Sequence, residues 1–395
     1  MDASFFIAGR LRFKGRIAMV SIAISYLVII IAVSVSSGFR QEIRSGLSKL
    51  SGDVQLMPPT MNVLDAGHPI DEDASYMPYI REMDDVDAVL PVVYRAGIVK
   101  NGEDIHGIII KGVPRDAGFI SDAFPADSVR LPVSIPSRLA EISGLKTGDR
   151  MLTYFVGEDI KARQFNVVSV HETMVETDDR LVVYADMEDM QRINGWNPGQ
   201  VSSIEILLKD NDEEDIVRNA EEAGTLVNAY SSDDDPSVIA VSSVSSYPQL
   251  FDWLDLIDFN VLFILVLMTI VAGFNMISGL LIMLFENIST IGLLKSLGMT
   301  DKAISEVFLS SSAVLVLKGM AAGNILALVF CFIQNTTHVL RLDPENYFVS
   351  YVPVNPDLAT ILASDVASFV IIMLLLLIPC LFISKVDPAE TVRVK

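Results

Sequence analysis

Four apolar stretches punctuate the chain. Ile17 to Val35 is 19 residues without a charge, enough to cross about 30 Å of hydrocarbon at about 1.5 Å per helical residue. Val261 to Phe285, Val307 to Ile333 and Val366 to Ile383 have the same character. The third contains Lys318 and the fourth Pro379, both tolerable where neighbouring helices satisfy them. Ser34-Val35-Ser36 after a basic approach also fits a cleavable leader, but the first run exceeds the apolar core of roughly 7 to 15 residues usual there. Four membrane helices are therefore expected.

Between the first two runs the periodicity shortens. Ala96 to Lys100 and Glu103 to Lys111 flank Asn101-Gly102, a pair that readily takes the positive φ values of a type I′ hairpin turn. "SRLAEISGLKTGDRMLTYFV" reads as helix, glycine turn and strand, and "IKARQFNVVSVHE" as a longer strand. "RLVVYADMEDMQRINGW" and "VSSIEILLKDNDEEDIVRNAEEAG" each pair a strand with an acidic helix. Two subdomains are expected, divided near Val129 to Pro132, followed by an extended return through "SSDDDPSVIAVSSVSSYP". An isolated aspartate run such as Asp233 to Asp235 reads as a solvated loop, and no metal is assigned to it.

Charge gives this pattern a direction. The chain is 51% hydrophobic yet carries a net charge of -21, and Ser37 to Asp258 alone holds 40 acidic against 18 basic side chains. Such an acidic surface disfavours nucleic acid and anionic lipid. Arg10, Arg12, Lys14 and Arg16 precede the first run, and Lys385, Arg393 and Lys395 follow the last. Positive charge accumulates on the cytoplasmic side, so both termini are expected there and the acidic block outside.

The expected fold is a membrane protein of α+β class, with four transmembrane helices and a large mixed α/β extracytoplasmic domain inserted between helices 1 and 2. Residues 1–36 hold an in-plane segment and the first span. Residues 37–258 form the outer domain, 259–285 the second span, 286–304 a cytoplasmic helix and 305–334 the third span. Residues 335–362 are an outer loop, 363–384 the fourth span and 385–395 a tail. Small residues should mediate helix contacts, with Gly319 and Gly323 four apart and Gly273 and Gly279 on another span.

Catalytic motifs are missing. There is no G-x-x-x-x-G-K-[ST], no G-x-S-x-G and no H-E-x-x-H, and His68, His106, His171 and His338 are scattered. Cys331 and Cys380 lie in apolar runs, away from any zinc-ligand spacing. No catalytic, metal or cofactor residue is assigned, and enzyme is the weaker expectation. Lys318 deep in an apolar run marks a possible intramembrane polar site, with Asn275 and Asn324 as candidate partners.

The remaining signal is "LFENISTIGLLKSLGMTDKAI" between the second and third runs. Its stripe of Ile288, Ile291, Leu294 and Leu297 is too short for a stable free helix, so a partner should hold it. "ENISTIGLLKSLGMT" resembles the E-x-T-x-x-I-G-x-L-K-A-L-G-A segment of ABC transporter permeases of the MacB, LolC/LolE and FtsX class. Glu286, Ile291, Gly292, Leu294, Lys295, Leu297 and Gly298 match, while Ile288 stands where the family has threonine. "FIAGRLRFKGRIAMVSIAISYLVIIIAVSVSSGFRQEI" is similar to the entry of lipoprotein-releasing permeases. The resemblance implies that these seven residues dock on a separate ATPase subunit, which holds ATP and Mg. It also implies a second permease subunit, a lipoprotein or periplasmic carrier as client, and an inner-membrane location. A regulator of a cell-wall hydrolase and an exporter of peptides or small molecules are the alternatives within the class.

Overall fold

The computed structural model describes residues 16–64, 67–101, 104–115, 117, 130–155, 161–171, 181–209, 212–343, 347 and 349–381. The in-plane segment at 1–15, Gly102 of the expected hairpin turn, most of the 129–132 boundary's approach and the basic tail lie outside them. The chain divides into two compact units. One, helical, comprises 1–41, 253–341 and 351–395; the other, α/β, comprises 42–252 and 342–350.

The helical unit is built on α1 (Arg16–Ser51), α7 (Pro248–Glu286), α9 (Asp301–Thr337) and α10 (Leu358–Leu375), with the short α8 (Ile288–Ser296) and α11 (Leu377–Cys380). Its four longest helices, counting α10 and α11 together, are long and apolar enough to cross a membrane. Ile22 and Tyr26 of α1, Met276 and Leu280 of α7, Phe308 and Val316 of α9, and Ile372 of α10 share one buried core. A second cluster joins Ile29, Ile30 and Val33 to Ala327 and Ile361. The small-residue expectation holds for α9: a Cβ added to Gly319 would lie 2.7 Å from Ile22 Cγ2, and one on Gly323 2.5 Å from the Ala23 carbonyl oxygen. Backbones approach closely where the side chain is a hydrogen. Pro379 lacks an N–H and crowds the carbonyl four residues back, which explains why α10 stops at Leu375 and restarts as α11.

α1 and α7 outrun their apolar runs furthest. α1 continues past Val35 to Ser51, and α7 begins at Pro248 rather than near Val261. The extension of α1 is amphipathic: Phe39, Ile43, Leu47 and Leu50 recur at helical spacing and are all buried. The compact units accordingly change over at Gln41/Glu42 and Asp252/Trp253, inside these helices, instead of at 37 and 258.

Among the described residues of the α/β unit, eleven strands and their helices follow one another in chain order. They are β1 (Val54–Met57), β2 (Ile70–Asp71), α2 (Met77–Arg81), β3 (Val86–Asn101), β4 (Asp104–Val113), β5 (Pro132–Pro136), α3 (Ser137–Ser143), β6 (Arg150–Phe155), β7 (Lys161–His171), β8 (Leu181–Asp186), α4 (Met187–Asn194), β9 (Gln200–Val201), β10 (Ser203–Leu208), α5 (Glu213–Tyr230), β11 (Ile239–Ser242) and α6 (Ser243–Ser246). The main sheet runs β11-β1-β10-β3-β4-β8-β5-β7-β6, and β6 also pairs with β3. Six strands from β3 to β6 thus close on themselves, removing their edges. The sheet is mixed, with β4–β8 and β5–β7 parallel.

β3 is the shared strand. Val92 and the residues before it pair with β10, and from Val93 onward the partner is β4. The sheet therefore changes character along β3, and no break appears at the expected 129–132 boundary, because β5 from Pro132 is bonded to both β7 and β8. β3 and β4 pair antiparallel as the hairpin expectation has it, but with Asn101 opposite Asp104 and Lys100 opposite Ile105, a register shifted from the Lys100–Glu103 pairing that a two-residue Asn101-Gly102 turn would set. α5 lays Ile216, Ala220, Ala223 and Val227 inward.

Candidate functional site

α7 ends at Glu286, and Asn287, with φ -108°, breaks the helix before α8. Its side-chain amide donates to the Met283 carbonyl at 2.8 Å. Of the nine residues of α8, Ile291 and Gly292 are buried. Ile291 is 1% exposed and joins the core of Met283, Leu284, Ile304 and Phe308, with Leu294 packed partly against it. Lys295 Nζ lies 2.8 Å from an Asp301 carboxylate oxygen, tying α8 to the first residue of α9. Gly298 makes the return turn at φ +90°, a conformation that favours glycine. Thr300 then caps α9 by accepting from the Ala303 N–H at 3.3 Å.

Leu297 is 75% and Leu293 54% exposed, with Phe285 and Glu286 exposed beside them. The expected stripe is therefore split. Ile291 and Leu294 hold the helix to its own bundle, Lys295 and Gly298 set its turn, and Leu297 faces outward with Leu293, which the stripe omitted. A short helix anchored by one face and apolar on the other forms an exposed ledge.

The expected intramembrane group does not assemble. Lys318 is exposed on α9 and has no ion pair among the described residues. Asn275 donates to Ser21 Oγ at 2.5 Å, bridging α7 and α1, whereas Asn324 donates to Asp365 Oδ2 at 2.5 Å, bridging α9 and α10. Asp365 escaped the pattern because it stands one position before the Val366 run, and helix direction alone brings it opposite Asn324.

A second group missed by sequence lies in the α/β unit, around the end of α1. The last turn of a helix leaves carbonyls unsatisfied. Lys111 Nζ donates to the Lys49 and Leu50 carbonyls at 3.1 and 2.8 Å and to Glu205 Oε2 at 2.7 Å. Tyr94 Oη donates to Glu205 Oε1 at 2.5 Å. Burial pushes the Glu205 carboxyl up and the Lys111 ammonium down, each opposed by the other's charge. Arg44 pairs with Asp212, and Asp53 Oδ2 accepts from Ser48 Oγ at 3.0 Å and from the Leu208 N–H at 2.8 Å. Gly52, at φ +72°, ends the helix against Glu205, where an added Cβ would come within 2.8 Å of the Glu205 Cβ. The clue was a single charge inside each of two apolar strands, Lys111 after Ile108–Ile110 and Glu205 between Ile204 and Ile206.

Within the helical unit the exit of α1 is braced against α7. Arg40 pairs with Asp258, Ser36 hydrogen-bonds Asp258, and Phe39 meets the Trp253 ring edge-on with centroids 5.5 Å apart.

Residues 17–223, more than half of the chain, match the family described as MacB-like periplasmic core domain, and residues 262–388 match FtsX-like permease C-terminal. The chain belongs to the MacB/FtsX-like family of ABC transporter permeases. Between the two matched segments of this permease lie β11, α6 and the first turns of α7. It is 21% identical to "Lipoprotein-releasing system transmembrane protein LolC" of Neisseria meningitidis, over 98% of this chain and 95% of that one. It is 20% identical to "Lipoprotein-releasing system transmembrane protein LolE" of Haemophilus influenzae, over 95% and 93%. The LolC of Xylella fastidiosa is 22% identical over 98% and 95%. The permease is thus LolC/LolE-like along nearly its whole length.

Proposed function

We propose that this permease is the membrane subunit of a lipoprotein-releasing ABC transporter in the inner membrane, with both termini and α8 in the cytoplasm and the α/β unit outside. A separate ATPase subunit, holding ATP and Mg, docks on the exposed Leu293 and Leu297. A second permease subunit, either another copy or a paralogue, completes the transporter. The observation that carries this reading is the α8 ledge. Its inner face is locked by Ile291 and by the Lys295–Asp301 pair, so a push on its outer face moves the bundle instead of bending the helix.

The push is then passed along α1 and α7. Both helices continue without interruption from residues of the helical unit into residues of the α/β unit. α1 ends in the Lys111–Glu205 cluster, so displacement of the helix is delivered to β4 and β10. In this reading a lipidated protein reaches the α/β unit from the outer leaflet, and the nearly full-length similarity to lipoprotein-releasing proteins supports that client.

Leu293→Asp combined with Leu297→Asp should leave the protein membrane-inserted and folded while abolishing co-purification of the ATPase. In vesicles containing wild-type permease and the co-purified ATPase, added lipoprotein should stimulate hydrolysis and be released to a carrier. ATPase binding undiminished in the double variant would refute the docking face. Stimulation by a cell-wall hydrolase and not by lipoprotein would replace the transporter with a regulator.

A further inference from the structure

α10 carries a carboxylate between apolar turns. Asp365 is 6% exposed, and the polar side chain that meets it is Asn324 of α9, whose Nδ2 donates to Oδ2 at 2.5 Å. Around this contact three buried polar atoms have no partner among the described residues: Asp365 Oδ1, Asn324 Oδ1 and the hydroxyl of Tyr26, which is fully buried on α1. The first two are acceptors only when the acid is ionised, so neither can satisfy the other. Among the described residues no cation is paired with Asp365. Lys318 is exposed on α9, and the acids of α7, namely Asp252, Asp255, Asp258 and Glu286, stand towards its two ends. Thr269 of α7 is hydrogen-bonded to Ser368, three residues along α10 from Asp365, at 3.1 Å.

An ionised carboxylate without a counter-charge inside an apolar bundle is costly. A single proton removes both defects. Once Oδ1 is a hydroxyl it has a hydrogen to give, and the acceptor left wanting one is Asn324 Oδ1. In the neutral pair Nδ2 still donates to Oδ2, and the acid hydroxyl is a donor beside an amide oxygen that has none.

We propose that Asp365 and Asn324 form a proton-binding site inside the bundle, occupied at neutral pH. One O–H bond forms as hydronium gives up its proton, with no change of oxidation state. The neutral acid–amide pair joins α9 to α10 without a charge in the hydrocarbon. This site stands whether or not the client is a lipoprotein.

Infrared spectroscopy of the full-length permease in lipid nanodiscs tests it. At neutral pH the wild type should show a protonated-carboxyl C=O stretch that moves down in D₂O and disappears in Asp365→Asn. Asn324→Ala should keep the acid and raise its frequency, because the carbonyl loses its amide donor. If Asp365→Asn does not fold, isotope-labelled aspartate with Asn324→Ala decides the same point. A carboxylate band for Asp365 at neutral pH would overturn the proposal. So would a carboxylate band that responds to added Na⁺ with no acid band present, which would assign the site to a metal cation. An acid band unchanged by both substitutions would also refute it.

Discussion

Single side chains at the end of α1 carry more energy than their number suggests. Lys111 and Glu205 are both buried, and removing one partner strands the other charge. Lys111→Met should therefore destabilise the α/β unit by about 3–5 kcal/mol, while Lys111→Met with Glu205→Leu should cost less than the single change. Denaturant unfolding followed by Trp196 fluorescence, with Trp253→Phe in the background, measures both. Asp53 gives a pH signature. Burial pushes its carboxyl from 3.8 up to about 6, against the hydrogen bonds from Leu208 and Ser48. Because the folded form binds the proton more tightly, its stabilising contribution is complete below the ordinary carboxylate range and disappears as pH rises through about 6. The stability difference between wild type and Asp53→Asn should shift by about 3 kcal/mol across that window; a flat difference would show that the Asp53 carboxyl titrates alike in the folded and unfolded chain.

At the scale of elements, the segments quoted between Ser137 and Gly224 were legible in the sequence because their periods are clean, whereas the strand at Pro132–Pro136 was not read. β7 and β8 alternate or run apolar between turns, and α3 ends at Gly144 in the left-handed conformation. The facing of α8 was not legible. Ile291, Leu294 and Leu297 share one stripe, but which part of it the bundle covers depends on Phe308 and Met283, whose placement is tertiary. The consequence is testable: Ile291→Asp should lower the thermal midpoint of the permease, whereas Leu297→Asp should leave it near wild type and affect partner binding alone. Equal loss of stability in both would mean that Leu297 is covered. The ends of α1 and α7 were hidden for another reason: hydropathy marks where a helix leaves lipid, and their amphipathic extensions continue beyond that point. Pairings between distant residues, Lys111 with Glu205 and Asn324 with Asp365, carry no local period at all.

For the whole molecule, the central claim is that nucleotide chemistry on a partner at α8 moves the α/β unit. A direct measurement places spin labels at Glu222→Cys on α5 and Asn335→Cys on α9, both exposed positions, with Cys331 and Cys380 replaced by serine. Pulsed-EPR distances are then compared in the reconstituted ATPase complex with and without trapped ATP. Coupling through α8 entails a nucleotide-dependent change in the distance distribution that vanishes when Leu293 and Leu297 are both replaced by Asp. An unchanged distribution in the wild-type complex, or a change that persists in the double variant, would contradict it.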